Sequence, residues 1–142
     1  MEDLRSYPIP ERWTVYLPAD YGPDPESEPP MWRFCRESRD FSVYCSAWTV
    51  SNGSVRADPR RLLELFENAA QSAAAPLAKT DLSLYAPPGF SVTAWQGRTL
   101  EGLRMTVFAI GAPGHLLAVY LVGNSLSKRE ELLNCVRLIS RS

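Results

Sequence analysis

Histidine and lysine are almost absent from this chain. His115 stands alone, and of fifteen basic residues only Lys79 and Lys128 are not arginine. A single imidazole makes a poor start for a metal centre, which needs several converging ligands. Cysteine is scarce as well. Cys35, Cys45 and Cys135 are odd in number and show no C-x-x-C spacing, so the sequence specifies no disulfide framework. They are expected to be free thiols that pack as small hydrophobes, with Cys35 and Cys45 able to face each other across a hairpin. An excess of charge is missing too: fifteen basic against sixteen acidic residues leave a net charge of −1. No global field steers the molecule toward nucleic acid or anionic lipid. Long apolar runs are also lacking. Residues 105–122 come nearest to the roughly 18 that a membrane helix needs, but Gly111, Pro113, Gly114 and His115 interrupt them. The opening Met1-Glu2-Asp3-Leu4-Arg5 lacks the basic-then-apolar order of a secretory signal, so the expected compartment is the cytoplasm.

Catalytic signatures are missing in the same way. There is no G-x-S-x-G, no P-loop and no G-x-G-x-x-G, and no cofactor or metal is expected. Glu130-Glu131 fall in the first turn of an expected helix, where stabilising the helix dipole accounts for them. Arg33, Arg36 and Arg39 interleave with Trp32, Phe34 and Phe41, a mixture that could stack on single-stranded nucleic acid. Arg33 and Arg36 nevertheless belong to opposite faces of a strand, and Glu37 and Asp40 intervene. A solvated hairpin is the expected outcome.

What the chain does have is apolar material, 45% of 142 residues, enough for one core in a single α+β domain spanning 1–142. Trp13, Val15 and Leu17 alternate as on a half-buried strand that Pro18 ends. Five prolines between 18 and 30 predict a loop. Residues 31–37 and 40–50 predict two strands joined tightly at Ser38-Arg39, with Trp32 and Phe34 on one face of the first. On the second, Phe41, Val43 and Cys45 share a face, while Tyr44 and Trp48 take the other. Asp58-Pro59 predicts the start of a helix with its apolar stripe at Leu62, Leu63, Phe66, Ala69, Ala70 and Ala73, ended by Pro76. Strands follow at about 81–86, 90–96, 103–110 and 115–122. The last is apolar on both faces and belongs in the middle of a sheet. Ser127-Lys128-Arg129-Glu130 fits a capping box before a final helix that carries Leu132, Leu133, Val136 and Ile139 on one side. Together these predict a mostly antiparallel sheet of about six or seven strands with two helices packed on it.

This order, with Pro10-Glu11-Arg12-Trp13, the aromatic hairpin from Trp32 to Trp48, the segment from Trp95-Gln96-Gly97-Arg98 to Ile110, and the closing helix from Leu132 to Ser140, resembles the PsbP-like fold. That group includes photosystem accessory proteins, the Ran-binding Mog-type proteins, and the bacterial DcrB and Eag-type proteins. The resemblance implies an α/β sandwich and an accessory or binding role. Eag-type proteins chaperone apolar segments of type VI secretion effectors, and other small bacterial domains of similar make-up act as immunity proteins against toxins. No family residue carries over by motif, and fold alone does not give function.

Four Trp, six Tyr and five Phe are many for this length, and aromatics with Arg are what protein-binding hot spots prefer. The expected function is therefore a non-enzymatic bacterial protein-binding module, such as an immunity protein or a secretion-effector chaperone. Its partner would be a toxin or an effector, and a homodimer remains open. The expected partner-binding residues are Trp32, Tyr44 and Trp48. The alternative is a small-ligand binder or enzyme that uses His115 with a carboxylate.

Overall fold

Strand β9, His115–Gly123, lies at the middle of the architecture. Its Leu-Leu-Ala-Val-Tyr-Leu run is buried on both faces, as a strand with neighbours on each side and layers above and below must be. The computed structural model describes residues 3–24, 32–38, 40–49 and 78–142. Within them a seven-stranded antiparallel sheet has the order β3-β4-β5-β9-β8-β7-β6. Its strands are β3 Tyr21–Pro23, β4 Trp32–Arg36, β5 Phe41–Thr49, β6 Ala78–Thr80, β7 Ser91–Arg98, β8 Arg104–Ala112 and β9. A second sheet of three strands has the order β1-β2-β10, from β1 Leu4–Ile9, β2 Trp13–Pro18 and β10 Ser140–Arg141.

The central hairpin is set by its turn. Ala112 pairs with His115 across Pro113-Gly114, and Gly114 takes a φ of 75°. Proline followed by a positive-φ glycine is the combination a tight reversal of this kind favours. At the other end of β9, Gly123 pairs with Phe41, and the buried Phe41 ring fills the space where a Cβ on residue 123 would sit. Glycine there lets β5 and β9 stay in register to their ends.

Side chains alternate, so the sheet has two buried faces, and the described residues form two apolar clusters. On the first face Phe34, Val43, Cys45, Phe108, Leu117 and Val119 meet Trp13, Val15 and Leu17 of β2, together with Leu132, Leu133 and Val136 of helix α1, Leu126–Val136. On the second face Trp95, Met105, Val107, Leu116, Ala118 and Tyr120 form a separate cluster, edged by half-buried Tyr44 and Trp48.

Several expectations need correcting. The segment 81–86 is not a strand. The chain pairs with β7 earlier, at Ala78–Thr80, and then makes a 3₁₀ turn at Ser83–Tyr85. The Asp81 carboxylate accepts the Ser83 N–H and O–H, which closes that turn. The loop expected over 18–30 contains β3, a three-residue edge strand on β4. The helix cap is Ser125 rather than Ser127. The Ser125 hydroxyl accepts the Lys128 N–H at 3.2 Å, and Glu130 instead accepts the Tyr85 hydroxyl at 2.7 Å. Ile139 is buried as expected but lies beyond the helix, in the tight link to β10. Of the two expected helices, the one over 58–76 lies outside the described residues; α1 is the α-helix among those described.

Leu133 is 1% exposed in the first-face core. Leu133→Ala should cost about 2–5 kcal/mol in urea unfolding, from lost burial plus the cavity left behind. A cost near zero would show that α1 is not part of that core.

Candidate functional site

Residue pairing across the β4–β5 hairpin decides which of the expected binding residues stand together. Trp32 pairs with Cys45 and Phe34 with Val43, so Trp32 belongs to the first face, beside the main core. Arg33 pairs with Tyr44, which in turn pairs with Tyr120 of β9. Tyr44 and Trp48 therefore share the second face, and Trp32 is on the opposite one. The expected trio is split: Tyr44 and Trp48 come together, four residues apart on one strand, while Trp32 is separated from them by the sheet.

The pairing continues as a row across the second face. Arg33, Tyr44, Tyr120, Val107, Trp95 and Lys79 lie side by side on β4, β5, β9, β8, β7 and β6. Tyr120, Val107 and Trp95 are buried in the middle of this row. Burial pushes the Tyr120 phenol above its ordinary range, so it stays neutral at physiological pH. Tyr44 keeps part of its surface, and the Arg33 guanidinium lies over its ring, 5.4 Å from the centroid.

Arg33 also holds Asp24, the residue that follows β3. Its Nη1 lies 3.2 Å from Asp24 Oδ2, and the Asp24 side chain is only 1% exposed. Its Nη2 donates to the Ser42 hydroxyl at 3.3 Å, and the Arg33 carbonyl accepts the Asp24 N–H at 2.8 Å. A buried carboxylate is tolerable when a cation and hydrogen bonds meet it. Neither Asp24 nor this use of Arg33 was legible beforehand. The stretch 18–30 carries four acids, Asp20, Asp24, Glu26 and Glu28, and nothing in the sequence singles out Asp24 among them. Arg36, on the other side of β4, bridges Asp20 at 2.8 Å and Asp40 at 2.7 Å. A hydrogen bond from the Ser38 hydroxyl, with Arg36 assisting, holds the exposed Asp40 carboxyl below its ordinary value.

The thiols form no site together. Cys35 pairs with Ser42 and Cys45 with Trp32, so the two lie on opposite faces instead of facing each other. Burial pushes the Cys45 thiol up to about 12, so it stays protonated near neutral pH. None of the three cysteines is in a disulfide. Among the described residues no group of three or more His, Cys, Asp and Glu converges to hold a metal. No helix among them is long and apolar enough to cross a membrane.

His115 sits where the β8–β9 turn meets the β1–β2 turn. Its Nδ1 is 3.8 Å from Glu11 Oε2, so a carboxylate does face it, beyond hydrogen-bond reach. Glu11 and Arg12 take left-handed φ values of 70° and 68°, which ordinary side chains avoid. The C-terminus holds this turn in place: Arg141 Nε donates to the Glu11 carbonyl at 2.9 Å, and the Ser142 N–H to the Arg12 carbonyl at 3.0 Å.

No protein-family model matches the chain, and neither does any curated protein. Solved structures do. The solution structure of cyanobacterial PsbP (CyanoP) from Synechocystis sp. PCC 6803 superposes with a TM-score of 0.65 at 12% identity, covering 100% of this chain and 94% of that one. A crystal structure from Bacteroides thetaiotaomicron VPI-5482 gives a TM-score of 0.64 at 14% identity, covering 100% of this chain and 49% of the other, so this chain spans about half the length of that protein. At such identities the likeness concerns the fold, and the fold is PsbP-like.

The Asp24–Arg33 pair makes a direct test of how the site is held. Arg33→Ala leaves the Asp24 carboxylate buried without its cation. Because Arg33 is itself partly exposed, the expected loss is about 3 kcal/mol, the low end for breaking such a pair. Arg33→Lys, which keeps the charge without the fork, should recover part of it. No measurable loss in urea unfolding of Arg33→Ala would show that other neighbours suffice to hold Asp24.

Proposed function

We propose that this chain is a non-enzymatic protein-binding module whose contact surface is the second-face edge around Tyr44 and Trp48. The observation that carries this is their paired, half-buried placement. Two aromatics four residues apart on β5 keep accessible surface, while Tyr120 and Trp95 on the same face are buried. Arg33 lies over one of them. Tyr, Trp and Arg are the residue types that dominate binding hot spots, because a rigid ring buries much area at little entropic cost. Arg33 is already committed to Asp24 and Ser42, so it serves to steady the Tyr44 ring.

The narrower proposal is a bacterial cytoplasmic accessory role, as an immunity protein or a secretion-effector chaperone, with a toxin or effector as partner. What supports it is the small α+β domain of PsbP-like fold together with the aromatic edge. The competing proposal, an activity built on His115, is favoured by one observation, the Glu11 carboxylate 3.8 Å from its Nδ1. A general base would need that contact to tighten in the presence of substrate.

The test is to capture the partner from the source cell, identify it, and measure its affinity for variants by calorimetry. Trp48→Ala or Tyr44→Ala should weaken binding about thirtyfold or more, as loss of a hot-spot aromatic of 2 kcal/mol does. Trp32→Ala, on the opposite face, and His115→Ala should bind as the unaltered chain does. Normal binding by both Tyr44→Ala and Trp48→Ala would end this surface assignment. A turnover abolished by both His115→Ala and Glu11→Gln would put the enzyme in its place.

A further inference from the structure

The three-stranded sheet carries an exposed strand of its own, separate from the aromatic edge. Among the described residues strand β1 forms one border of that sheet, with β2 as its one neighbour. Residues Asp3 to Ser6 are all exposed, and Leu4 keeps 42% of its surface. Six residues of open edge are a ready template for another strand unless something blocks it.

The two prolines reveal which backbone groups the edge offers. Leu4 pairs with Pro18, and Pro8 with Thr14. A proline has no N–H to exchange, so these are the pairs without mutual hydrogen bonds, and Ser6 with Tyr16 shares their phase. The Ala19 N–H donates to the Asp3 carbonyl at 3.1 Å, which confirms that odd-numbered residues turn their polar groups toward β2. The N–H and C=O of Leu4 and Ser6 therefore point outward from the sheet.

We infer that β1 pairs with β1 of a second copy of this chain, antiparallel, about a two-fold axis at Leu4. Outward-pointing residues must face outward-pointing residues, which leaves a short list of registers. With the axis at Arg5, two guanidiniums stand opposite each other. With the axis at Ser6, Pro8 faces Leu4 of the second copy and cannot donate. With the axis at Leu4, each Leu4 exchanges two hydrogen bonds with its copy, the two leucine side chains meet, and Pro8 lies outside the central pairs. That register also sets Asp3 against Arg5 of the other chain, twice, by symmetry. Neither Asp3 nor Arg5 has an ion-pair partner among the described residues, and opposite charges directly across two strands are favourable. The assembled sheet would run through six strands, β10-β2-β1 joined to the same three of the second copy. A self-complementary edge of this kind suits a two-fold dimer.

The experiment is sedimentation velocity on the full chain from micromolar to millimolar concentration. The weight-average mass should climb from that of one chain toward that of two. Leu4→Pro removes the central outward N–H without touching the β1–β2 ladder, so it should keep the melting temperature and weaken association about tenfold or more. Asp3→Arg alone and Arg5→Asp alone put like charges across both contacts and should each weaken association. An equimolar mixture of those two variants restores opposite charges at both contacts and should associate more strongly than either alone. A chain that stays monomeric throughout overturns the inference. So does a dimer indifferent to Leu4→Pro, or a mixture no stronger than its components.

Discussion

Everything in this structure is arranged around a strand with no exposed side. Residues 116–121 of β9 are buried on both faces, so two layers of side chains, not one, must be completed around it. Its backbone is paired along its length by β5 on one side and β8 on the other. This requirement fixes the long partners next to it and pushes the short strands, β3 and β6, to the borders. The first face is closed by β2 and α1, whose alternating and helical stripes supply apolar residues at matching periods. The second face gathers an aromatic row that is buried in its middle and half-open at Tyr44 and Trp48. The proposed contact surface is thus the margin of a core, with rigid rings backed by a well-packed strand.

The two proposed surfaces follow from different physical features. At the margin of the second face, side chains are the offered groups, and specificity would come from the shape of the rings, with Arg33 steadying Tyr44. Along β1, backbone groups are offered, and specificity would come from the charge order Asp3-Leu4-Arg5 and from where Pro8 interrupts the donors. Because one lies in the large sheet and the other in the small one, binding at either need not occupy the other. The strained turn at Glu11 and Arg12 belongs to neither. It is held by the C-terminal residues and brings Glu11 near His115.

Much of this was legible in the sequence wherever burial wrote a strong period. β9 announced itself by being apolar throughout, β2 by strict alternation, and α1 by Leu132, Leu133 and Val136. The failures have equally physical causes. β1 was missed because its exposed residues, Leu4 to Ser6, write no buried stripe. β3 was hidden among prolines, which an edge strand tolerates because one side of its ladder is open. Asp81-Leu82-Ser83-Leu84 imitates a strand by alternating, yet Leu84 is 73% exposed and the Asp81 side chain bends the backbone into a turn. The box pattern pointed to Ser127, but Glu130, which would have completed it, is taken by Tyr85, and the helix begins two residues earlier, behind Ser125. In the candidate site, the tight connection at Ser38-Arg39 already implied that Trp32 faces Cys45. Following that register would have separated Trp32 from Tyr44 and Trp48. The Asp24–Arg33 pair was missed with β3 itself, since it is the β3–β4 register that brings Asp24 opposite Arg33.

The central claim is that β9 is the last element to come apart, since it contributes to both clusters and lies mid-sheet between its two long partners, β5 and β8, which pair along its length. Native-state hydrogen exchange measured residue by residue tests it most directly. The amides of Leu117 to Leu121 should exchange only through global unfolding and be the slowest in the protein, while those of β1 and β2 exchange through smaller openings. If the β9 amides exchanged through a partial opening while Tyr7 and Val15 of the small sheet remained protected, the strand would not be the element on which the fold depends.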